Sequence, residues 1–229
     1  MRGTLDATPA PRRPAVEVVS AEELTAAGGF HFHQGCLGFA ERPAAVPWQQ
    51  LDLAGPTHMG AAHRRSTHVS AENPRTSQRR MVILLDDVRD PDNVGSIFRS
   101  ALAFGVSAVL LGPGCADPLY RKAIRTSMAA TLVLPFANLE PWPEALDDLR
   151  AVGFTLVAAT PDADASELDD AKGAVRRSSA IALLVGSEFS GLSAAARERA
   201  DLRVRIPIGA GVDSLNVAVA TAILLYAMR

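Results

Sequence analysis

The chain has 229 residues, 48% of them hydrophobic, and a formal net charge of −2, which suits one α/β domain with an attachment and excludes nucleic-acid binding through global charge alone. Its two cysteines, Cys36 and Cys115, lack metal-type spacing and are expected to be free thiols in a reducing compartment. No apolar run reaches the roughly 18–20 residues of a membrane span, and the Pro- and Arg-rich start has no signal-peptide core, so a soluble, cytoplasmic protein is expected.

Residues 1–15 show no periodicity and read as a disordered tail. Val16–Val19 has strand composition, and Ser20 is placed to cap a short helix over Ala21–Ala27 that Gly28 and Gly29 stop. His31, His33 and Cys36 lie close together. Their spacing fits no standard zinc pattern, so a packed or exposed cluster stands beside the metal reading. Residues 54–80 read as a flexible basic linker, with Arg64, Arg65, Arg75, Arg79 and Arg80 set against Glu72 alone.

From residue 81 onward, strands and helices alternate. Val82–Leu85 is a short, wholly apolar run, the mark of a strand buried on both faces. An acidic turn with Pro91 follows, then a helix over Val94–Phe104 with Asn93 as candidate cap, ended by Gly105. Further strands are predicted over Val106–Leu111, Thr131–Phe136, Phe154–Ala159, Ala180–Val185 and Arg203–Ile208, with helices over Leu119–Met128, Pro143–Ala151 and Ser193–Arg199. A closing helix over Leu215–Met228 has no charged residue after Asn216, which predicts burial on every side. The alternation predicts an α/β fold, a mainly parallel sheet with helices on both faces.

Ligands of open parallel sheets bind beyond the carboxyl ends of strands, and three such ends carry unusual residues. One is Asp92–Arg99, with Asn93 and Arg99. Another is Gly186–Leu192, where two glycines bracket Glu188 directly after a buried strand. The third is Ile206–Val217, with Ser214 and Asn216 before the closing helix. Each also has a plain structural reading: Arg99 as a solvated helix charge, Glu188 complementing a helix N-terminus, and Ser214 and Asn216 as caps. Neither a Rossmann Gly-x-Gly-x-x-Gly, nor a P-loop, nor a Gly-x-Ser-x-Gly elbow is present.

In this order and spacing the three turns resemble the motifs of the SpoU-type (TrmH-like) RNA ribose 2′-O-methyltransferases of the SPOUT class. The matching stretches are Asn93-Val94-Gly95 with Arg99, Gly186-Ser187-Glu188-Phe189-Ser190-Gly191-Leu192, and Ile206-Pro207-Ile208-Gly209 with Ser214-Leu215-Asn216-Val217. Ser187 stands where the family often has Asn, and Phe189 where it often has Gly. The resemblance covers residues 81–229. Residues 16–53 contain a stretch that looks like the tail half of an L30e-like substrate-binding domain.

The resemblance implies a C-terminal deep trefoil knot (the SPOUT methyltransferase fold), a homodimer, and transfer of a methyl group from S-adenosylmethionine to a ribose 2′-OH of structured RNA, rRNA or tRNA. It implies cofactor contacts around Thr160, Gly186, Ile206, Ile208 and Leu215. It makes Arg99 the catalytic candidate, with Asn93, Glu188, Ser214 and Asn216 orienting it and the ribose. Arg121, Lys122 and Arg125, on one helix, are candidates for RNA phosphates or, equally, a solvated charged face. No metal is implied. A non-catalytic RNA- or cofactor-binding module of the same fold is the competing expectation.

Overall fold

The computed structural model describes residues 15–29, 38–53, 79–209 and 211–228. The chain separates into two compact units, residues 1–44 and 45–229. The predicted tail, the His31–His33–Cys36 cluster and most of the basic linker lie outside the described residues.

In the first unit, helix α1 spans Ala21–Gly28 and begins with a capping box. The Ser20 hydroxyl accepts from the Glu23 N–H, and the Glu23 carboxylate accepts from the Ser20 N–H, satisfying two otherwise unpaired donors of the first turn. Gly29 ends the helix in the left-handed region. Val16–Val19 is not a strand but an exposed, unpaired segment.

The second unit holds seven strands among the described residues: β1 Arg80–Asp86, β2 Ala108–Leu111, β3 Phe136–Asn138, β4 Thr155–Ala159, β5 Ser166–Glu167, β6 Ala180–Gly186 and β7 Leu202–Arg205. They form one sheet in the order β3-β2-β1-β6-β4-β7-β5, every pairing parallel. The helices are α2 Pro91–Ala103, α3 Arg121–Thr126, α4 Ala145–Ala151, α5 Leu168–Arg177, α6 Ala194–Arg199 and α7 Val217–Met228.

Successive residues of a strand point to opposite faces, and the central strands feed two cores accordingly. Met81, Ile83 and Leu85 of β1, with Ile181, Leu183 and Val185 of β6, pack with α2, α5 and α7. Val82 and Leu84, with Ala180, Ala182 and Leu184, pack on the other face with α4 and α6. The apolar runs are unbroken because both faces of these strands are covered. Trp48, in a 3₁₀ turn over Trp48–Gln50, is only 4% exposed in the second core. The boundary between the units therefore falls inside the 16–53 segment, and residues 45–53 pack with the sheet.

Three expectations are corrected. Thr131–Phe136 is not a strand: a 3₁₀ turn occupies Ala130–Leu132, and pairing to β2 starts only at Phe136. Between β4 and β6 the chain adds the short edge strand β5 and helix α5, which were not anticipated. The closing helix α7 is not enclosed all round. Val217, Thr221, Leu224, Leu225 and Met228 are buried, whereas Val219, Ile223 and Tyr226 form an open apolar stripe.

Candidate active site

Four loops meet beyond the carboxyl ends of β1, β4, β6 and β7, and three of them carry the motifs. The first begins at Asp86, whose buried carboxylate accepts from the Ser193 N–H at 2.7 Å. Asp86 thereby ties the end of β1 to the start of α6, a role that no motif of the sequence marks. The N-cap of α2 is Asp90, not Asn93. Its side chain accepts from the Asp92 N–H, and Pro91 fills the first helical position, where a missing N–H is harmless. Asn93 is thus inside the first turn, with its side chain free to reach across to the other loops.

The Asn93 Nδ2 donates to Glu188 Oε1. Asn216 Nδ2 donates to Asn93 Oδ1 at 2.9 Å. Asn216 Oδ1 in turn accepts from the N–H groups of Ala218 and Val219 at 3.0 and 3.2 Å, capping α7. One residue from each of the three motifs joins this chain, although Asn93 and Asn216 are 123 positions apart. Asn216 is both cap and link: its carbonyl serves the helix and its amide serves Asn93.

The second loop is a stapled turn. Ser187 and Gly191 form an antiparallel bridge, Gly191 N–H donates to the Ser187 carbonyl at 2.8 Å, and Phe189 N–H donates to Ser187 Oγ at 3.2 Å. The turn folds so tightly onto β6 that a Cβ on Gly186 would lie 2.2 Å from the Gly191 carbonyl carbon.

Between the loops is a cavity of about 350 Å³, within the size range of small-molecule sites. Thr160, Gly186, Ile206, Ile208 and Leu215, the five candidate cofactor contacts, all line it, as do Glu188 and Ser214. Val204, Val217 and Leu224 add apolar wall. Thr160 is buried, and its N–H donates to the Val204 carbonyl at 3.0 Å, joining the loop after β4 to β7.

Arg99 is not in this cluster. It lies on α2 six residues beyond Asn93, roughly 9 Å along the helix axis at 1.5 Å per residue. It is exposed and without an ion pair or hydrogen bond among the described residues. Lys122 lies nearer the loops. Its ammonium is 2.9 Å from Asp92, which also accepts from the Thr126 hydroxyl. These bonds hold the Asp92 carboxyl below its ordinary range, Lys122 foremost, and Asp92 raises the Lys122 ammonium in return. Arg121 and Arg125, on the same helix, are exposed. Cys115 is set apart chemically: burial pushes its thiol up to about 11, so it is no nucleophile at neutral pH. Among the described residues no cluster of His, Cys, Asp or Glu has the makings of a metal site, and no helix is long and apolar enough to cross a membrane.

Comparison with known proteins agrees with this geometry. The sequence model of the SpoU rRNA Methylase family matches residues 80–226. An uncharacterised tRNA/rRNA methyltransferase of Mycobacterium tuberculosis is 50% identical over 207 residues, 90% of this chain and 63% of that protein. The 23S rRNA (guanosine(2553)-2′-O)-methyltransferase of Bacillus subtilis is 35% identical over 162 residues, 71% of this chain and 62% of that protein. The chain thus spans less than two thirds of the length of these curated relatives. The crystal structure of an AdoMet-bound rRNA methyltransferase from Sinorhizobium meliloti superposes with a TM-score of 0.60 at 33% identity, covering 66% of this chain and 57% of that one. The matched span starts at β1 and ends within α7, enclosing all the converging loops, and the chain belongs to the SpoU rRNA methylase family.

Proposed function

We propose that the protein is an S-adenosylmethionine-dependent RNA ribose 2′-O-methyltransferase acting on rRNA or tRNA in the cytoplasm. The observation that carries this reading is the Glu188–Asn93–Asn216 chain beside a largely apolar cavity. The cavity suits an adenosyl group: Ile206, Ile208 and Leu215 offer apolar surface, and the loops around Thr160 and Gly186 offer backbone polar groups. When bound, the cofactor supplies an electrophilic methyl group.

The residues of the chain then have a division of labour. Arg99 stays protonated in any protein environment and is a poor base. Its fixed fork of donors suits the phosphate beside the acceptor ribose and the charge that develops on the 2′-oxygen. Asn93, Glu188, Ser214 and Asn216 orient the ribose at the rim. Arg121, Lys122 and Arg125 contact neighbouring phosphates. The reading extends to a C-terminal segment threaded as a trefoil knot, to residues 16–53 as a partial L30e-like substrate-binding module, and to a homodimer.

The test combines two measurements on the same protein. Calorimetry should show binding of S-adenosylhomocysteine, and tritium should pass from labelled S-adenosylmethionine to bulk rRNA or tRNA. Arg99→Ala should cut transfer by about 100-fold, the loss that follows removal of one charge-stabilising donor, with cofactor binding unchanged. Transfer surviving in Arg99→Ala would exclude that residue from the chemistry. Binding without any transfer in the wild type would favour a non-catalytic module.

A further inference from the structure

Phe189 is 98% exposed, more than any other large apolar side chain among the described residues. It is not on a loose tether. The bonds that staple Ser187 to Gly191 and to the Phe189 N–H hold its backbone in a five-residue turn, and Glu188 before it is tied to Asn93. A ring carried in water by a stapled backbone at the rim of a cavity is placed for something to cover it. Phe189 is among the residues that line the cavity, yet the cavity walls leave its ring uncovered. The cover comes from outside, on the side from which an acceptor must arrive.

The charges linked to this rim through Asp92 and Asn93 indicate its chemistry. Lys122 is anchored on Asp92, adjacent in sequence to the Asn93 that reaches Glu188, and Arg125 is exposed on the same helix. Cations beside an exposed aromatic ring form the usual platform for single-stranded nucleic acid. Phosphates meet the cations and a base stacks on the ring whatever its identity. A base can do so only when it is unpaired and splayed from its helix.

We infer that Phe189 is the stacking platform for an unpaired RNA base beside the acceptor ribose, so that the substrate presents its target in a loop, bulge or single strand. This inference rests on the methyltransferase reading above. Its test uses a short single-stranded RNA carrying one 2-aminopurine, and the same strand fully paired. The wild type should quench the fluorescence and bind the single strand about tenfold more tightly than the duplex. Phe189→Ala should lose about tenfold in single-strand affinity, the lower range of one base–aromatic stack, while its affinity for S-adenosylhomocysteine and its melting temperature hold. Phe189→Trp should restore the quenching. Equal RNA binding by Phe189→Ala, a loss of S-adenosylhomocysteine binding instead, or wild-type preference for the duplex would overturn the inference. Failure of the wild type to bind S-adenosylhomocysteine would instead overturn the methyltransferase reading itself.

Discussion

Asn216 carries two jobs on one amide, and they can be separated. The side-chain oxygen caps α7, while the side-chain nitrogen donates to Asn93. Asp keeps the capping oxygen and suits the positive end of the helix dipole, but it offers only acceptors to Asn93 Oδ1. Asn216→Asp should therefore melt at or above the wild-type temperature while methyl transfer falls. Asn216→Ala should lose both, with about 1 kcal/mol of stability going with the cap. Thermal melting and tritium transfer on the two variants decide this, and equal activity in wild type and Asn216→Asp would show that the link to Asn93 is idle. Gly186 is constrained differently. The atoms that crowd its missing Cβ are backbone atoms of Gly191 and Leu192, all within 2.3 Å, and they have no rotamer to escape into. Gly186→Ala should cost about 3 kcal/mol by overpacking, seen in urea denaturation. Gly173→Ala in α5, where the nearest atom is the movable end of Arg177 at 3.7 Å, should stabilise by up to about 1 kcal/mol. The sequence named both Asn93 and Asn216 as caps and was right for one. Asp90 displaces Asn93 because Pro91 after it favours the extended backbone a cap needs.

Elements were legible where burial is two-sided. β1 and β6 are apolar without interruption because each alternate residue enters one core or the other. Helix α5 is hard to see in the sequence because its acidic first turn and its arginines dominate the composition. Its inward face, Leu168, Ala171 and Val175, was nevertheless in the sequence at helical spacing. The strand expected at Thr131–Phe136 gave way to a turn because Met128 and Ala129 take positive φ and redirect the chain before the edge of β2 is reached. Elements are also where the charge pairs act. Asp92 of α2 and Lys122 of α3 hold those two helices beside the rim. Asp92 has its folded value depressed below 3.8, so its contribution is present above that pH and is lost as the pH falls through the depressed value. Lys122 has its folded value raised above 10.5, so its contribution is complete below that pH and is lost as the pH climbs past the raised value. The melting temperatures of wild type and Lys122→Ala should differ modestly between these limits, converge beyond either one, and converge in high salt as an exposed pair must. A difference that persists in strong acid would mean that Lys122 stabilises α3 by packing rather than by charge.

At the scale of the molecule, the sheet and the meeting of three loops followed from pattern and motif order, whereas the surroundings of α7 did not. A helix with no polar face reads as buried, but sequence periodicity does not say by whom. Val217, Ala218, Thr221, Leu224, Leu225 and Met228 are buried, whereas Val219, Ile223 and Tyr226, at i, i+4 and i+7, are exposed. Tyr226 is 60% exposed even though its ring also meets Phe104 edge-on. An apolar stripe running along a helix that also supports the cavity is the surface expected of a self-complementary contact, since a two-fold axis sets the same patch against itself. In the proposed homodimer this stripe lies at the interface, and a carboxylate placed there would be buried against its own copy. Light scattering on the eluted protein should give twice the chain mass of 24.2 kDa. Ile223→Asp should return it to one chain mass without unfolding it, because that side chain is not part of the core. A wild type that elutes at one chain mass, at concentrations well above those used for activity, would rule the dimer out and leave the stripe to another partner.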